Sequence, residues 1–96
     1  MRATMNNWHD WTTETRPDVL MARYTGLLKD SGFNVLETVH HFFAPHGFTA
    51  LILLAESHFA IHTFPEEGKS YLELSSCVDG PFFEFVEKVK TDGNAA

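Results

Sequence analysis

With 96 residues, a formal net charge of −6 and an isoelectric point near 5.3, the chain reads as one small domain, near the size at which association often supplies missing burial. The acidic balance argues against nucleic acid and anionic membrane surfaces, which select clustered Lys and Arg, and points to a cationic, small or protein partner. The single cysteine, Cys77, excludes an internal disulfide. No basic, apolar and cleavable leader opens the chain, and the longest apolar run, Phe48 to Ala55, falls far short of a membrane span. These features fit a reducing cytoplasm.

Met1 to Thr13 hold Trp8, His9 and Trp11 without a clear period and read as an irregular arm or short edge strand. Thr15, with Asp18 three positions on and Pro17 between, forms a capping-box-like start, because hydroxyl and carboxylate can satisfy free amides of a first helical turn. Leu20, Tyr24, Leu27 and Leu28 then share one helical face, with Arg23 and Lys29 outside it, and Asp30, Ser31 and Gly32 end the helix. From Phe33 the period changes to two. Phe33, Val35, Glu37, Val39 and His41 alternate with Asn34, Leu36, Thr38 and His40, which predicts a half-buried strand running to about Phe43.

After a turn at Ala44 to Gly47, the segment Phe48 to Leu54 is apolar on both faces and reads as a central strand covered on both sides. Ala55 to His58 separates it from a third strand, Phe59 to Phe64, in a tight antiparallel hairpin with Ser57 at the bend. Pro65 to Lys69 turns the chain again, and a fourth strand runs from Tyr71 to near Cys77. Beyond Asp79, Gly80 and Pro81, the spacing of Phe82, Phe85, Val86 and Val89 marks a second amphipathic helix, and Thr91 to Ala96 should fray. The order predicts one α+β domain over residues 1–96, an antiparallel four-stranded sheet with two helices packed on one face.

Between two apolar runs, Glu56 to His62 gathers a carboxylate, a hydroxyl and two imidazoles. On a strand, His58 and His62 share a face about 13 Å apart, too far to share a metal; on a helix the same pair would be adjacent. Phe, Ile, Thr and a flanking Pro favour the strand, so no metal site is expected, even with His40, His41 and His46 in the chain. Taken alone, Cys77 reads as a small buried hydrophobe.

Phe43, Pro45 and Gly47, followed by Glu56-Ser57-His58, Ile61-His62-Thr63, Pro65-Glu66, Gly68 and Cys77, resemble in order and spacing the prokaryotic S-adenosylmethionine decarboxylases. These are small pyruvoyl enzymes of polyamine biosynthesis. The resemblance covers about the middle third of the chain. It implies a sandwich fold and self-cleavage between Glu56 and Ser57, in which the Ser57 hydroxyl attacks the Glu56 carbonyl carbon and a covalent pyruvoyl group is left at residue 57. Such an attack needs a bent backbone, where a hydroxyl can approach its own preceding carbonyl. His62 matches the base that assists processing, and Thr49 stands where the family usually has a serine in the same step.

In the mature enzyme the resemblance implies a Schiff base between the pyruvoyl carbonyl and the substrate amine, with the carbonyl as electron sink. Cys77 matches the proton donor, a role open to a thiol that is mostly protonated at neutral pH. Phe43 and Phe64 match aromatic positions that embrace the adenine, and Glu66 matches the carboxylate that holds the ribose hydroxyls. The family also implies a homodimer with the active site at the interface and Phe43 reaching in from the partner. Phe64 replaces a common tryptophan, Glu67 and Lys69 replace positions that are often aromatic, and Val78 replaces the usual glycine after the cysteine. These departures motivate a second reading, a pyruvoyl-dependent ornithine or arginine decarboxylase. A third is an unprocessed, non-catalytic binding subunit.

Overall fold

Apolar residues recur at every second position along three neighbouring strands and bury on one side of the sheet, and this one-sidedness sets the architecture. The computed structural model describes residues 3–92. Its elements are β1 (Asn6–Thr12), α1 (Pro17–Asp30), β2 (Val35–Phe42), β3 (Phe48–Leu54), β4 (Ser57–Phe64), a 3₁₀ turn at Pro65–Glu67, β5 (Lys69–Ser76) and α2 (Asp79–Asp92). The strands form one antiparallel sheet in the order β1-β5-β4-β3-β2. Phe48, Ala50, Ile52 and Leu54 of β3, Phe59 and Ile61 of β4, and Leu72 and Leu74 of β5 join Leu20, Tyr24, Leu27 and Leu28 of α1 and Phe82, Phe85 and Val89 of α2 in one core. Tyr24 stacks on Phe59 at 5.5 Å between ring centres, and Phe85 meets Phe59 at 5.7 Å and Trp8 at 5.2 Å, both edge-on.

The expected α+β layering holds, with five strands where four were predicted. The additional strand is the tryptophan arm, which takes the edge-strand alternative and pairs with β5 from Asn6 opposite Ser76 to Thr12 opposite Ser70. Its period is hard to read because His9, Asp10 and Trp11 are all exposed on an edge with one neighbour. The opposite edge also departs from expectation. β2 is not half-buried: Val35 is partly covered and every residue from Leu36 to Phe42 is exposed, with an irregularity between Val35 and Glu37. β3 is covered on one face only, since Leu51 and Leu53 lie open on the other. The β3–β4 turn is tighter than predicted, because β4 begins at Ser57 and the bend falls on Ala55 and Glu56. Helix α2 continues through Thr91 and Asp92, where fraying was expected; the remainder of that expected frayed end, 93–96, lies outside the described residues.

The start of α1 is held differently from the capping-box expectation. Arg16 is the N-cap and makes no side-chain capping bond, so Thr15 does not cap the helix. Pro17 opens it, where a missing N–H leaves no amide unpaired. The order comes from one residue earlier: the Glu14 carboxylate accepts the Arg16 N–H at 2.9 Å and both arms of the Arg16 guanidinium at 2.9 Å. The Glu14 carbonyl accepts the Ser70 hydroxyl at 2.7 Å, tying this loop to β5. The Arg16 side chain, and then its backbone N–H, lower the Glu14 carboxyl from 4.5 to about 2. A carboxyl lowered on folding stabilises the protein above its unfolded value and loses that contribution as the pH falls toward its folded one. Glu14→Gln therefore lowers the thermal midpoint slightly at neutral pH, and the gap to the unaltered chain closes as the pH drops from 4.5 toward 2; calorimetry across that range checks it.

Candidate active site

The two-residue turn between β3 and β4 brings together three of the residues singled out in the sequence. Glu56 has φ of +65°, the left-handed region that a non-glycine side chain occupies at a cost. This conformation swings its carbonyl toward the end of β5. There the carbonyl oxygen accepts the Cys77 backbone N–H at 3.4 Å and the Cys77 thiol at 3.2 Å. Ser57 follows directly and opens β4, its side chain on the helix side of the sheet and buried. Its hydroxyl donates to Ser76 Oγ at 2.7 Å. Thus the Glu56–Ser57 peptide lies between a hydroxyl fixed in place and two donors aimed at its carbonyl oxygen, the geometry that favours negative charge developing on that oxygen.

The remaining candidates gather at the opposite end of β3 and β4. Thr49 and His62 are register partners, and Thr49 Oγ1 shares a 3.0 Å hydrogen bond with His62 Nδ1. The imidazole is half-buried and stacks on Tyr71 at 6.2 Å between ring centres. Burial pushes the Tyr71 phenol above its usual range, and the Glu73 carboxylate adds to the shift. Phe43, Phe64 and Glu66 join Thr49 and His62 around a cavity of about 210 Å³. Across it His46 Nε2 lies 3.2 Å from Glu66 Oε1, a half-exposed contact of small energetic weight.

The structure does not bring these two groups together within one chain. Ser57 and His62 are five residues apart on a single strand, roughly 16 Å along it, and the odd spacing puts their side chains on opposite faces. His58 and His62 do share a face, the one without helices. Among the described residues no three of His, Cys, Asp and Glu converge as a metal site, and no helix is long and apolar enough to cross a membrane.

With this geometry in view, the comparisons are specific. The family model described as S-adenosylmethionine decarboxylase matches residues 13–91. The chain belongs to the S-adenosylmethionine decarboxylase family. A relative named S-adenosylmethionine decarboxylase proenzyme from Parasynechococcus marenigrum is 42% identical over 60 residues, covering 62% of this chain and 47% of that protein. One of the same name from Persephonella marina is 44% identical over 52 residues, 54% of this chain and 39% of that protein. The chain thus spans less than half the length of these curated relatives in the matched segments. The crystal structure of the adenosylmethionine decarboxylase from Aquifex aeolicus shares the fold, with a TM-score of 0.68 at 24% identity, over 94% of this chain and 77% of that one.

Both residue clusters fall inside the segment matched to the decarboxylase family, whereas β1 precedes it. The sequence reading missed three contacts at the site. Ser76 meets Ser57, and the signal available was a Ser-Ser pair at the end of a predicted strand. His46 meets Glu66 across the cavity. Trp11 of β1 lies 6.0 Å from Phe64 between ring centres and carries the Lys69 ammonium 4.4 Å above its ring, so the arm borders the aromatic end of the site. The left-handed Glu56 is the feature most open to test. Glu56→Gly should raise the unfolding free energy by about 1 kcal/mol. Denaturant titration measures the change, and a loss of stability would show that the Glu56 side chain anchors the turn.

Proposed function

We propose that the chain is a pyruvoyl-dependent S-adenosylmethionine decarboxylase that cuts itself between Glu56 and Ser57 and supplies the aminopropyl donor for spermidine synthesis. The observation that carries this reading is the left-handed Glu56 whose carbonyl oxygen receives both the N–H and the thiol of Cys77. In the first step the Ser57 hydroxyl attacks the Glu56 carbonyl carbon, the C–N bond breaks, and the peptide becomes an ester with the proton on the Ser57 nitrogen. Cys77 stabilises the oxyanion of this step through its two donors. In the second step His62 takes the Ser57 Cα proton, which expels the Glu56 carboxylate. Water then releases ammonia and completes the group.

The residues around residue 57 fit a pyruvoyl group, since the turn is exposed at Glu56 and Cys77 while Ser57 itself is sheltered. A pyruvoyl carbonyl supplies an electron sink for the pair left when carbon dioxide departs. Cys77 gives the proton to that carbon, a role supported by its thiol donating to the Glu56 carbonyl at this turn. Phe43 and Phe64 embrace the adenine, and Glu66 holds the ribose hydroxyls. A cationic sulfonium substrate also suits the net charge of −6. A reducing cytoplasm keeps the thiol available.

A homodimer completes the site. The cavity of about 210 Å³ around His62 is lined by neither Ser57 nor Cys77, and the helix-free face of the sheet carries an apolar patch on β2 and β3. Val39, Leu51 and Leu53 are 62%, 47% and 50% exposed there and line a second cavity of about 320 Å³ with His58. Exposed apolar surface of this kind marks an interaction site. If two copies face each other about a two-fold axis crossing β4 near Ala60, the His62 end of one lies over the Ser57 end of the other. This arrangement removes the separation along the strand and brings His62 to the sheet face opposite the Ser57 side chain, from which the Cα rather than the hydroxyl is approached.

Intact mass of the purified protein under denaturing conditions should give fragments 1–56 and 57–96, the second lighter by one ammonia, and the cut protein should release carbon dioxide from carboxyl-labelled S-adenosylmethionine. Release from ornithine or arginine instead overturns the substrate. A single uncut chain after long incubation overturns self-cleavage in favour of a binding subunit. The shared site has its own test. Ser57→Ala and His62→Ala chains should each stay uncut alone, whereas co-refolding them in equal amounts should allow about half of the His62→Ala chains, those paired with the other variant, to be cut. No cleavage in the mixture would mean that the site does not draw on two copies.

A further inference from the structure

We infer that Ser76 aims the Ser57 hydroxyl at the Glu56 carbonyl carbon and so sets the rate of ester formation; the inference rests on the self-cleavage reading above. Ser57 and Ser76 stand directly opposite each other in the β4–β5 pairing. The Ser57 hydroxyl donates to Ser76 Oγ at 2.7 Å, and both side chains are sheltered from water, Ser76 completely. Ser76 Oγ is itself held on two further sides: it accepts the Val78 N–H at 2.9 Å and donates to the Val78 carbonyl at 3.2 Å. A serine hydroxyl has one hydrogen and two lone pairs, and all three are used. It cannot rotate away from Ser57 without breaking bonds to the backbone.

The consequence lies in where the Ser57 oxygen directs its electrons. With the O–H bond turned toward β5, its lone pairs are left free for the preceding carbonyl carbon, whose oxygen is held by Cys77. Two adjacent residues at the end of one strand, Ser76 and Cys77, therefore orient the nucleophile and polarise the electrophile. Ser76 does not keep the proton. Its own hydrogen is committed to Val78, a neutral alcohol is a weak base, and the hydroxyl proton of Ser57 ends on the Ser57 nitrogen as the Oγ–C bond forms and the C–N bond breaks. Ser76 is a positioning residue for this one step. Once the ester has formed, the Ser57 oxygen has no hydrogen left to donate, so the later elimination does not depend on Ser76.

The full chain is made by cell-free synthesis, and its intact mass is followed over time with and without hydroxylamine, which cleaves an accumulated ester at residue 57. Ser76→Ala should slow the cut about tenfold, the scale of one lost hydrogen bond, with no build-up of hydroxylamine-sensitive ester. Ser76→Thr, which restores the hydroxyl, should recover most of the rate. Thermal midpoints measured on the same variants in a Ser57→Ala background separate a loss of fold from a loss of aim. Cleavage of Ser76→Ala at the unaltered rate, or accumulation of its ester, overturns the inference while leaving self-cleavage intact. Failure of the unaltered chain to cleave at all overturns both.

Discussion

The register of β4 on β5 is the constraint on which the rest of the candidate site depends. It sets Ser57 opposite Ser76 and brings Cys77 level with the Glu56 carbonyl. A slip of one residue would turn every side chain of β4 to the other face. Phe59 and Ile61 would leave the core and the hydroxyl of residue 57 would lose its partner. The core fixes this register, because Phe59 is packed by Tyr24 and Phe85 and Ile61 is fully buried. Hydrophobic burial on one side of the sheet thus positions polar chemistry at its end.

The same one-sided burial leaves the other face open. Two helices suffice to cover β3, β4 and β5 on one side, and among the described residues no element covers the second. The exposed valine and leucines of β2 and β3 are the remainder of that arithmetic. They share the helix-free face with Thr49, His58 and His62, so an apolar docking surface and the imidazoles belong to one plane of the molecule. Packing and chemistry are joined there by the pleat: residues two apart along a strand must point the same way.

Much of this was legible in the sequence wherever a stripe had to meet a core. The apolar face of α1, the β3–β4 hairpin and the apolar face of α2 follow from periods that burial enforces. The edges were not legible, for a physical reason. β1 and β2 each have one neighbour and little cover, so nothing compels their residues to alternate; Val39 of β2 looks like a core residue by type and lies exposed. At the site, the Glu-Ser-His run pointed to the turn, but small polar residues such as Ser76 have no pattern of their own and become visible only when the register pairs them. The separation of His62 from Ser57 was hidden by their closeness in sequence, since an extended strand carries five residues across roughly 16 Å.

That separation divides the proposed chemistry in two. Ester formation moves a proton only from the Ser57 oxygen to its own nitrogen, and the groups that orient and polarise it, Ser76 and Cys77, are in the same chain. Elimination must remove a proton from carbon, which needs a base, and His62 of the same chain is a strand-length away on the other face. On the proposed dimer that base comes from the second copy. On this proposal the first step needs only groups of one folded chain, whereas the elimination needs the second copy. An N-to-O acyl shift without elimination can reverse to the peptide, so the same proposal couples commitment to the cut form to burial of the apolar face.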